Sequence, residues 1–391
     1  MSLPKKIFIV STTLLIVAVF FWGIYDFSFN KKNISNPADK NSQTNGNSIF
    51  GPSQKNQEEK KNEKIYAVSE EAVLAPALKK TEERIIYYTK ENGKVFEIDL
   101  DGKNKRTVSD QNVFGLKEVF WSPEKNQVIS HLFEGGKDVF YLYEYGTKIG
   151  KKLKDGLDNV GWTNLGDKIV YKYYDASSKE RSLNIADPDG SNWKKLTDLD
   201  FRNMGLAQIP KTSVISFWNR GSAFEETKLM TIGILGGEKK AIFSGKFGGD
   251  YLWSPNGQKA LVSSVATKGG SQIGLGTINN EGGEYMNLNI PTLISKCVWS
   301  SDGKTVFYAQ PGGIPDGAVM PDDYYAEKIS TRDTFWKMDL TNGKKDRLVE
   351  LEELSKINIG FDADNLFLSP TEEEMFFVNR LDGKLYRLDL P

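Results

Sequence analysis

Short stretches in which hydrophobic and polar residues alternate follow one another along most of the chain, and polar turns separate them. The clearest stretches come in pairs: a tryptophan ends the first, a polar turn follows, and a second hydrophobic stretch begins. The best copies of this pair are led by Trp121, Trp253 and Trp299. Alternation with a period of two is typical of half-buried β-strands. The pattern therefore predicts a repeated strand–turn–strand unit.

The paired stretches recur at a nearly constant spacing. With the more divergent copies included, the units start at residues 121, 162, 207, 253, 299 and 367. The first five starts are 41 to 46 residues apart, and the last interval is 68 residues. A period of roughly 45 residues with a strand–turn–strand core is typical of the four-stranded blade of a β-propeller.

A second half-motif follows each pair and supplies the remaining strands. It is a short alternating stretch that ends in an Asp-Gly or Asn-Gly turn, as in residues 95–102, 183–190 and 335–343. These dipeptides tolerate the positive φ that tight hairpins require. We assign four strands to each blade, named a to d from the axis outwards. The b–c and d–a loops then share one face of the ring, called the b–c face, and the a–b and c–d turns share the other, called the a–b face.

The two ends of the repeat region decide the number of blades. Residues 73–75, 84–88 and 95–100 supply strands a, b and c of a further unit before the first tryptophan copy. The last unit stops at residues 385–390, which align with a strand c, so it lacks a strand d. We expect residues 65–68 to fill that place and close the ring. The prediction is an all-β fold, a β-propeller of about seven four-stranded blades, with six blades as the alternative.

The repeats resemble those of the WD40-like, TolB-type β-propeller family, which also occur in the propeller domains of some peptidases. The three copies at Trp121, Trp253 and Trp299 match that pattern well, and the resemblance covers residues 65–391. It implies a propeller fold. It implies little about activity, because the Trp, Ser-Pro and Gly of the motif serve packing and turns.

A different pattern at the amino terminus predicts a transmembrane signal anchor in residues 1–29. Lys5 and Lys6 precede an uncharged, apolar run, residues 7–25, long enough to span roughly 28 Å as a helix. A cleaved signal peptide is the alternative, but no small-residue cleavage site follows the run. A lipoprotein signal is excluded because the only cysteine is Cys297. The two lysines favour a single-pass membrane protein whose carboxy-terminal domain is extracytoplasmic.

The segment between the anchor and the repeats has a composition of its own. Residues 30–64 are rich in Asn, Lys, Ser, Gln and Glu. Such a segment cannot bury enough apolar surface to offset its ordering entropy, so it is predicted to be a disordered tether. The chain therefore divides into an anchor (1–29), a tether (30–64) and a propeller (65–391).

Composition excludes several classes of function. With 51 Lys and Arg against 52 Asp and Glu, the net charge of −1 argues against a dedicated nucleic-acid binder. One cysteine and one histidine exclude Cys-rich and multi-histidine metal sites, and we predict no cofactor. His131 lies in a strand b pattern and is expected to be structural. Cys297 precedes Trp299 by two residues, which places both on one face of a strand and predicts a buried thiol.

The long last interval contains an insertion on a b–c connection, residues 309–333. Its most distinctive residues are Asp322, Asp323, Tyr324 and Tyr325. Long loops in compact domains are commonly functional, and vicinal carboxylates with adjacent tyrosines could bind a cation or a partner, so these four residues are the candidate partner-binding loop. The alternative is a solvated loop without a role. We expect the Tyr324 side chain to be exposed, so that Tyr324→Ala destabilises less than Trp253→Ala.

Two classes of function are compatible with these features. The first is a membrane-anchored, non-enzymatic propeller that binds a protein or an envelope polymer. The second is a hydrolase or lyase that uses carboxylates in the axial channel. The first is favoured because no nucleophile motif occurs and no pair of carboxylates can be singled out as acid and base, so we predict no catalytic residues. A deep pocket with converging carboxylates and an arginine would favour the second.

Overall fold

The computed structural model describes residues 64–79, 81–355 and 360–391. The predicted anchor and all but the last residue of the predicted tether lie outside the described residues. No helix in the described part of the chain is long and apolar enough to cross a membrane.

Nearly all regular structure in the described residues is β-strand. Numbered along the chain, the strands are β1 (Ile65–Ala67), β2 (Val73–Lys79), β3 (Arg84–Thr89), β4 (Val95–Asp99), β5 (Arg106–Ser109), β6 (Leu116–Trp121), β7 (Gln127–Glu134), β8 (Lys137–Glu144), β9 (Ile149–Lys152), β10 (Leu157–Trp162), β11 (Ile169–Tyr174), β12 (Arg181–Ala186), β13 (Lys194–Leu199), β14 (Met204–Gln208), β15 (Val214–Asn219), β16 (Glu226–Gly233), β17 (Lys240–Trp253), β18 (Lys259–Val265), β19 (Ile273–Asn279), β20 (Met286–Ile290), β21 (Cys297–Trp299), β22 (Thr305–Gln310), β23 (Thr334–Asp339), β24 (Lys345–Arg347), β25 (Ala363–Leu368), β26 (Glu374–Asn379) and β27 (Leu385–Asp389). Two short helices, α1 (Asp322–Tyr325) and α2 (Leu351–Ser355), and a 3-10 turn (Ile294–Lys296) interrupt them.

The strands form seven blades of four antiparallel strands, so the larger of the two predicted numbers is correct for the described residues. Blades 1, 2 and 3 are β2–β5, β6–β9 and β10–β13, and blade 6 is β21–β24. Strands that follow one another in sequence are neighbours in each sheet. The inner strands of blades 1 to 4 contact one another in order: β2 contacts β6, β6 contacts β10, and β10 contacts β14. On the other side of the ring, β21 contacts β25, and β25 contacts β2.

Blades 4 and 5 are joined, which the repeat pattern did not predict. They form one seven-stranded sheet from β14 to β20, because β17 belongs to both. Its first half pairs with β16 as strand d of blade 4, and its second half pairs with β18 as strand a of blade 5. The change of partner occurs between Phe247 and Asp250, where Gly248 has φ +58°. A glycine adopts this conformation without strain.

The ring closes by strand exchange, as predicted. Blade 7 has the order β25, β26, β27 and β1, so its outer strand comes from the beginning of the propeller. Ile65 pairs with Leu388, and the Val68 amide donates to the Leu385 carbonyl at 2.9 Å. The core between blades 7 and 1 contains Val68 together with side chains of both blades. With β1 in place, blade 7 has four strands like the other blades, and β27 is paired on both sides.

The repeated tryptophans connect each blade to the one before it. Trp121, Trp162 and Trp299 donate their indole N–H to a main-chain carbonyl of the preceding inner strand at 2.8–3.0 Å. Trp253 donates to Ser216 Oγ of blade 4 at 2.8 Å. Because each bond fixes one blade against another, the motif serves the architecture, as the resemblance implied.

Candidate functional site

The insertion of blade 6 folds back over the b–c face and contacts several blades. Pro321 lies so close to Gly248 that a Cβ on this glycine would come within 2.6 Å of the proline Cδ. The Met320 amide donates to the Gly270 carbonyl in the b–c loop of blade 5 at 3.1 Å. Met320 is buried. These contacts fix the insertion over blades 4 and 5.

The carboxylates of Asp322 and Asp323, two of the candidate residues, stabilise this conformation of the insertion. Asp322 Oδ2 accepts a hydrogen bond from the Ala223 amide, in the b–c loop of blade 4, at 2.6 Å. Asp323 Oδ2 accepts from the Val319 amide at 2.8 Å, and its Oδ1 pairs with Lys328 at 2.9 Å. The Val319 amide, followed by Lys328, holds the pKa of Asp323 below its ordinary value. Both carboxylates are thus occupied by contacts within the chain.

The expected exposure of Tyr324 is wrong. Its side chain is only 1% exposed, and its hydroxyl donates to Asp362 Oδ1 at 2.8 Å. The Arg380 guanidinium lies 4.0 Å from the centre of its ring, and Lys296 Nζ lies 4.9 Å away. The loop sequence suggested that this side chain is exposed to solvent, but its ring packs against the Arg380 and Lys296 cations and its hydroxyl bonds to a carboxylate. Tyr324 therefore anchors the insertion and offers no surface to a partner.

Tyr325 is half-buried at the edge of the same contact. Its hydroxyl lies 3.5 Å from Asp250 Oδ2, and the Arg220 guanidinium lies 5.1 Å from its ring centre. Burial raises the pKa of Tyr325, so its hydroxyl stays protonated at physiological pH. The insertion is consequently tied to blade 5 through Tyr325 and to blade 7 through Tyr324.

A buried ion cluster lies beneath the insertion. Lys296 is fully buried and donates from Nζ to Asp333 Oδ2 at 2.7 Å, to Asp362 Oδ1 at 2.8 Å and to the Ala363 carbonyl at 2.8 Å. The Thr331 hydroxyl bridges the two carboxylates at 2.7 and 2.9 Å. All three protons of the ammonium group are thus used, as a buried charge requires.

The two carboxylates of this cluster differ in their acidity. Burial raises the pKa of Asp333, and the Lys296 charge opposes this effect without cancelling it. Burial acts on Asp362 too, but the Lys296 charge and hydrogen bonds from Lys296, Tyr324 and Thr331 together hold its pKa below the ordinary value. Both carboxylates are buried and accept several hydrogen bonds, which makes them structural.

A cavity of about 690 Å³ opens on the b–c face beside the insertion. Its walls are the beginnings of the inner strands of blades 7, 1 and 2 and residues 327–330 of the insertion. Its size lies within the roughly 300–1,000 Å³ that ligand sites commonly have. The insertion therefore covers the part of the face over blades 4 and 5 and forms one wall of the open part.

Most charged groups that line this cavity are already paired. Glu118 Oε2 and Asp138 Oδ1 lie 2.9 Å from the two ring nitrogens of His131. Lys117 Nζ contacts Asp138 Oδ1 at 2.8 Å. The hydrogen bond to Glu118 raises the pKa of His131. His131 thus lies on strand b of blade 2, as predicted, and holds a cavity-lining carboxylate in place.

Three lining charges have no ion-pair partner among the described residues: Lys90, Glu327 and Asp364. Asp364 lies on the inner strand of blade 7. Its Oδ1 is enclosed and has no hydrogen-bond partner in the described part of the chain. Since an enclosed carboxylate oxygen without a donor is costly, Asp364 is the chemically distinctive residue of the cavity lining.

Exposed apolar side chains lie beside the cavity. Phe114 is 75% exposed, and Phe133 and Leu381 are also exposed. The Phe133 ring lies 4.6 Å from Nζ of the cavity residue Lys117, and Leu381 itself lines the cavity. The Phe133 amide donates to the Gly115 carbonyl at 2.8 Å, which brings the two phenylalanine segments together. Large exposed apolar groups in one place are typical of interaction surfaces.

The described residues contain no group of three or more His, Cys, Asp and Glu side chains arranged to hold a metal ion. Cys297 is buried, and its thiol donates to the Leu293 carbonyl at 3.3 Å. Burial raises the pKa of the Cys297 thiol. The thiol is thus buried on the inner strand of blade 6, where it was predicted.

The ion cluster and the cavity were missed in the sequence because their residues are distant in the chain. Lys296 carried the one usable signal, since it is a lone charge in the apolar stretch 293–299. A lysine there must be either exposed or paired with a buried acid. Nothing in the sequence indicated that Asp333 and Asp362 are its partners.

Comparisons with known proteins support the fold. No protein-family model matches the chain, and no curated protein matches it. Among solved structures, an oligogalacturonate lyase in complex with manganese aligns with a TM-score of 0.60 at 12% identity, over 84% of this chain and 93% of that one. The β-propeller domain of the Trilobed protease from Pyrococcus furiosus aligns with a TM-score of 0.54 at 11% identity, over 81% and 95%. TolB from Acinetobacter baumannii aligns with a TM-score of 0.46 at 16% identity, over 70% and 62%.

At such low identities these likenesses show the fold and no activity. The chain is a β-propeller, which is the fold that the resemblance of its repeats implied.

Proposed function

We propose that this chain is a membrane-anchored, extracytoplasmic β-propeller that binds a partner protein on its b–c face and catalyses no reaction. The observation that carries the proposal is the cavity of about 690 Å³ on that face, with exposed Phe114, Phe133 and Leu381 beside it. Aromatic side chains are enriched in protein interfaces and supply much of their binding energy.

The chemistry of the nearby carboxylates supports binding over catalysis. A general acid or base must reach the substrate and exchange a proton with it. Asp333 and Asp362 are buried and saturated with donors, and Glu118 is paired with His131. These groups are therefore committed to holding the structure.

One observation favours the enzyme alternative. Asp364 and Arg380 both line the cavity, and a carboxylate that converges with an arginine is the arrangement expected of a propeller hydrolase or lyase. The likeness in fold to an oligogalacturonate lyase adds no activity to this chain. Incubation of the full chain with acidic envelope polysaccharides tests this alternative. Product release that is lost in Asp364→Asn would establish the enzyme and end the non-catalytic proposal.

The proposal of an anchor rests on the apolar run 7–25 and on Lys5 and Lys6 before it. Protease added to intact spheroplasts should degrade the propeller while cytoplasmic proteins survive. Full protection of the propeller until the membrane is opened would place it inside the cell and refute this part.

Binding on the b–c face is tested with matched surface variants. Phe114→Ser changes the d–a loop that leads into the cavity-lining strand β6, and Leu165→Ser changes an a–b turn of blade 3, where the side chain is 84% exposed. Both sites are exposed, so neither change should alter the fold. Cross-linking in intact cells, followed by quantitative mass spectrometry, should show a partner protein that is lost only with Phe114→Ser. The same partners in both variants would refute binding on this face, and recovery of envelope polymer alone would replace the protein partner by a polymer.

A further inference from the structure

The cavity has a chemical preference that can be worked out from its charges. Among its lining residues, Lys117, Glu118 and Lys328 are each held by an ion pair within the chain. Asp362 Oδ1 lies 2.8 Å from Lys296 Nζ, and Arg380 Nη1 lies 3.5 Å from Asp362 Oδ2, while Arg380 Nη2 donates to the Tyr324 carbonyl at 3.1 Å. These groups are largely neutralised or fixed, so they contribute little to the selection of a ligand.

The remaining charges favour a cation. Asp364 and Glu327 are negative, Lys90 is positive, and none of the three has an ion-pair partner among the described residues. The excess is therefore one negative charge. It lies in a partly enclosed space, where an electrostatic interaction is stronger than at an open surface.

The surroundings of the Asp364 carboxylate narrow the choice of ligand chemistry further. Asp364 Oδ1 is enclosed and without a donor in the described residues. The side chain as a whole is half-buried and lines the cavity, where one charged group at the end of a slender chain can approach its carboxylate. A lysine or arginine side chain has this shape, because its apolar stem can follow a wall while its charged end reaches the carboxylate.

We propose that the cavity receives a lysine or arginine side chain of the partner protein, whose charged end pairs with the carboxylate of Asp364. This inference rests on the proposed function, since it requires a protein on the b–c face. Phe114 and Phe133 contact the apolar residues of the partner that flank the inserted side chain. Lys90 lies in the same cavity and repels a second cation, which favours a segment that carries a single basic residue at this point.

The experiment compares two peptides on the full chain in detergent. The first is an acetylated and amidated pentapeptide with lysine between two pairs of glycines, and the second has norleucine in place of lysine. Isothermal titration calorimetry should detect the lysine peptide and not the norleucine peptide. Asp364→Asn should weaken the lysine peptide by roughly tenfold or more, as expected for the loss of a charge-assisted hydrogen bond.

Matched controls separate this effect from general loss of charge or fold. Asp167→Asn removes one negative charge from an a–b turn on the opposite face and should leave the affinity unchanged. Asp364→Asn should keep or raise the melting temperature, because it removes an enclosed charge without a donor. Equal binding of both peptides, or equal affinity in wild type and Asp364→Asn, would overturn the proposal. Binding of 1,5-diaminopentane without binding of the lysine peptide would assign the cavity to free amines and would equally overturn it.

The cross-linking assay distinguishes failure of this inference from failure of the proposed function. If Asp364→Asn keeps the partner that Phe114→Ser loses, the b–c face binds a protein but no basic side chain enters the cavity. If Phe114→Ser keeps every partner, the proposed function itself is wrong.

Discussion

Replacing Ile65 by alanine tests the closure of the ring by strand β1. Ile65 lies on β1, the only part of blade 7 that comes from the other end of the described sequence. It is 4% exposed and packs in a core with Leu388 and Phe377. The matched control is Ile149→Ala. Ile149 lies on β9, the outer strand of blade 2, but is 61% exposed.

The expected magnitude follows from burial. An isoleucine-to-alanine change in a core costs about 2–4 kcal/mol, whereas exposed changes usually stay within about ±0.5 kcal/mol. With an unfolding entropy of roughly 2.1 cal/mol/K per residue, a propeller of this length should lose about 3–6 °C of melting temperature with Ile65→Ala. Ile149→Ala should shift it by less than about 1 °C.

Two measurements check this expectation. Differential scanning calorimetry gives the melting temperatures, and hydrogen exchange read by mass spectrometry follows the amides of residues 385–389. Because β27 lies between β26 and β1, exchange there should accelerate in Ile65→Ala more than the global loss of stability explains. Equal melting temperatures for the two variants, or unchanged exchange in β27, would refute the assignment of β1 as the closing strand.

Three further outcomes are expected. A chain that starts at Lys64 should unfold in one cooperative transition at the wild-type temperature. A chain that starts at Ala72 lacks β1, so it should be less stable and prone to association through the edge of β27. Identical unfolding of both would contradict strand exchange. Lys296→Met should destabilise by about 3–5 kcal/mol in urea unfolding, because it leaves two buried carboxylates without their cation; a cost below about 1 kcal/mol would show that the cluster is hydrated. Because the pKa of His131 is raised in the folded state, its contribution to stability is complete below its unfolded pKa of about 6.5 and is lost as pH rises through the folded pKa. The difference in melting temperature between wild type and His131→Gln should therefore shrink from about pH 6 to pH 8. A difference that does not change with pH would refute the charged pairing.

Much of the fold was predictable because its signals are local. Trp253, the following Ser-Pro turn and the next apolar stretch lie within a dozen residues, and they report strand ends and turn geometry directly. The missing strand d of the last unit and the spare strand at 65–68 could be matched by counting. The shared strand β17 could not, because a change of pairing partner at Gly248 depends on neighbouring blades and leaves the alternation of the sequence intact.

The candidate site was predicted in position but not in character. The insertion is on the b–c connection of blade 6, as its extra length indicated. Tyr324 was expected to be exposed because loops usually are, but its ring enters a pocket made by Lys296 and Arg380, which belong to other segments. Tyr324→Ala should therefore be as damaging as Trp253→Ala, at roughly 3–5 kcal/mol. Contacts between residues so far apart have no sequence period that could reveal them.

Strand exchange in blade 7 also fixes where the chain enters and leaves the ring. β1 is a strand d, so its first residue lies at the c–d turn end, and the last residues of strand c in β27 lie at the same end. The Asp389 amide in fact donates to the Lys64 carbonyl at 3.0 Å. Whatever is joined before residue 64 is thus attached on the a–b face, and a segment fused after Pro391 would leave from the same spot. The opening of the cavity faces the other way, so the attachment point itself leaves its entrance clear.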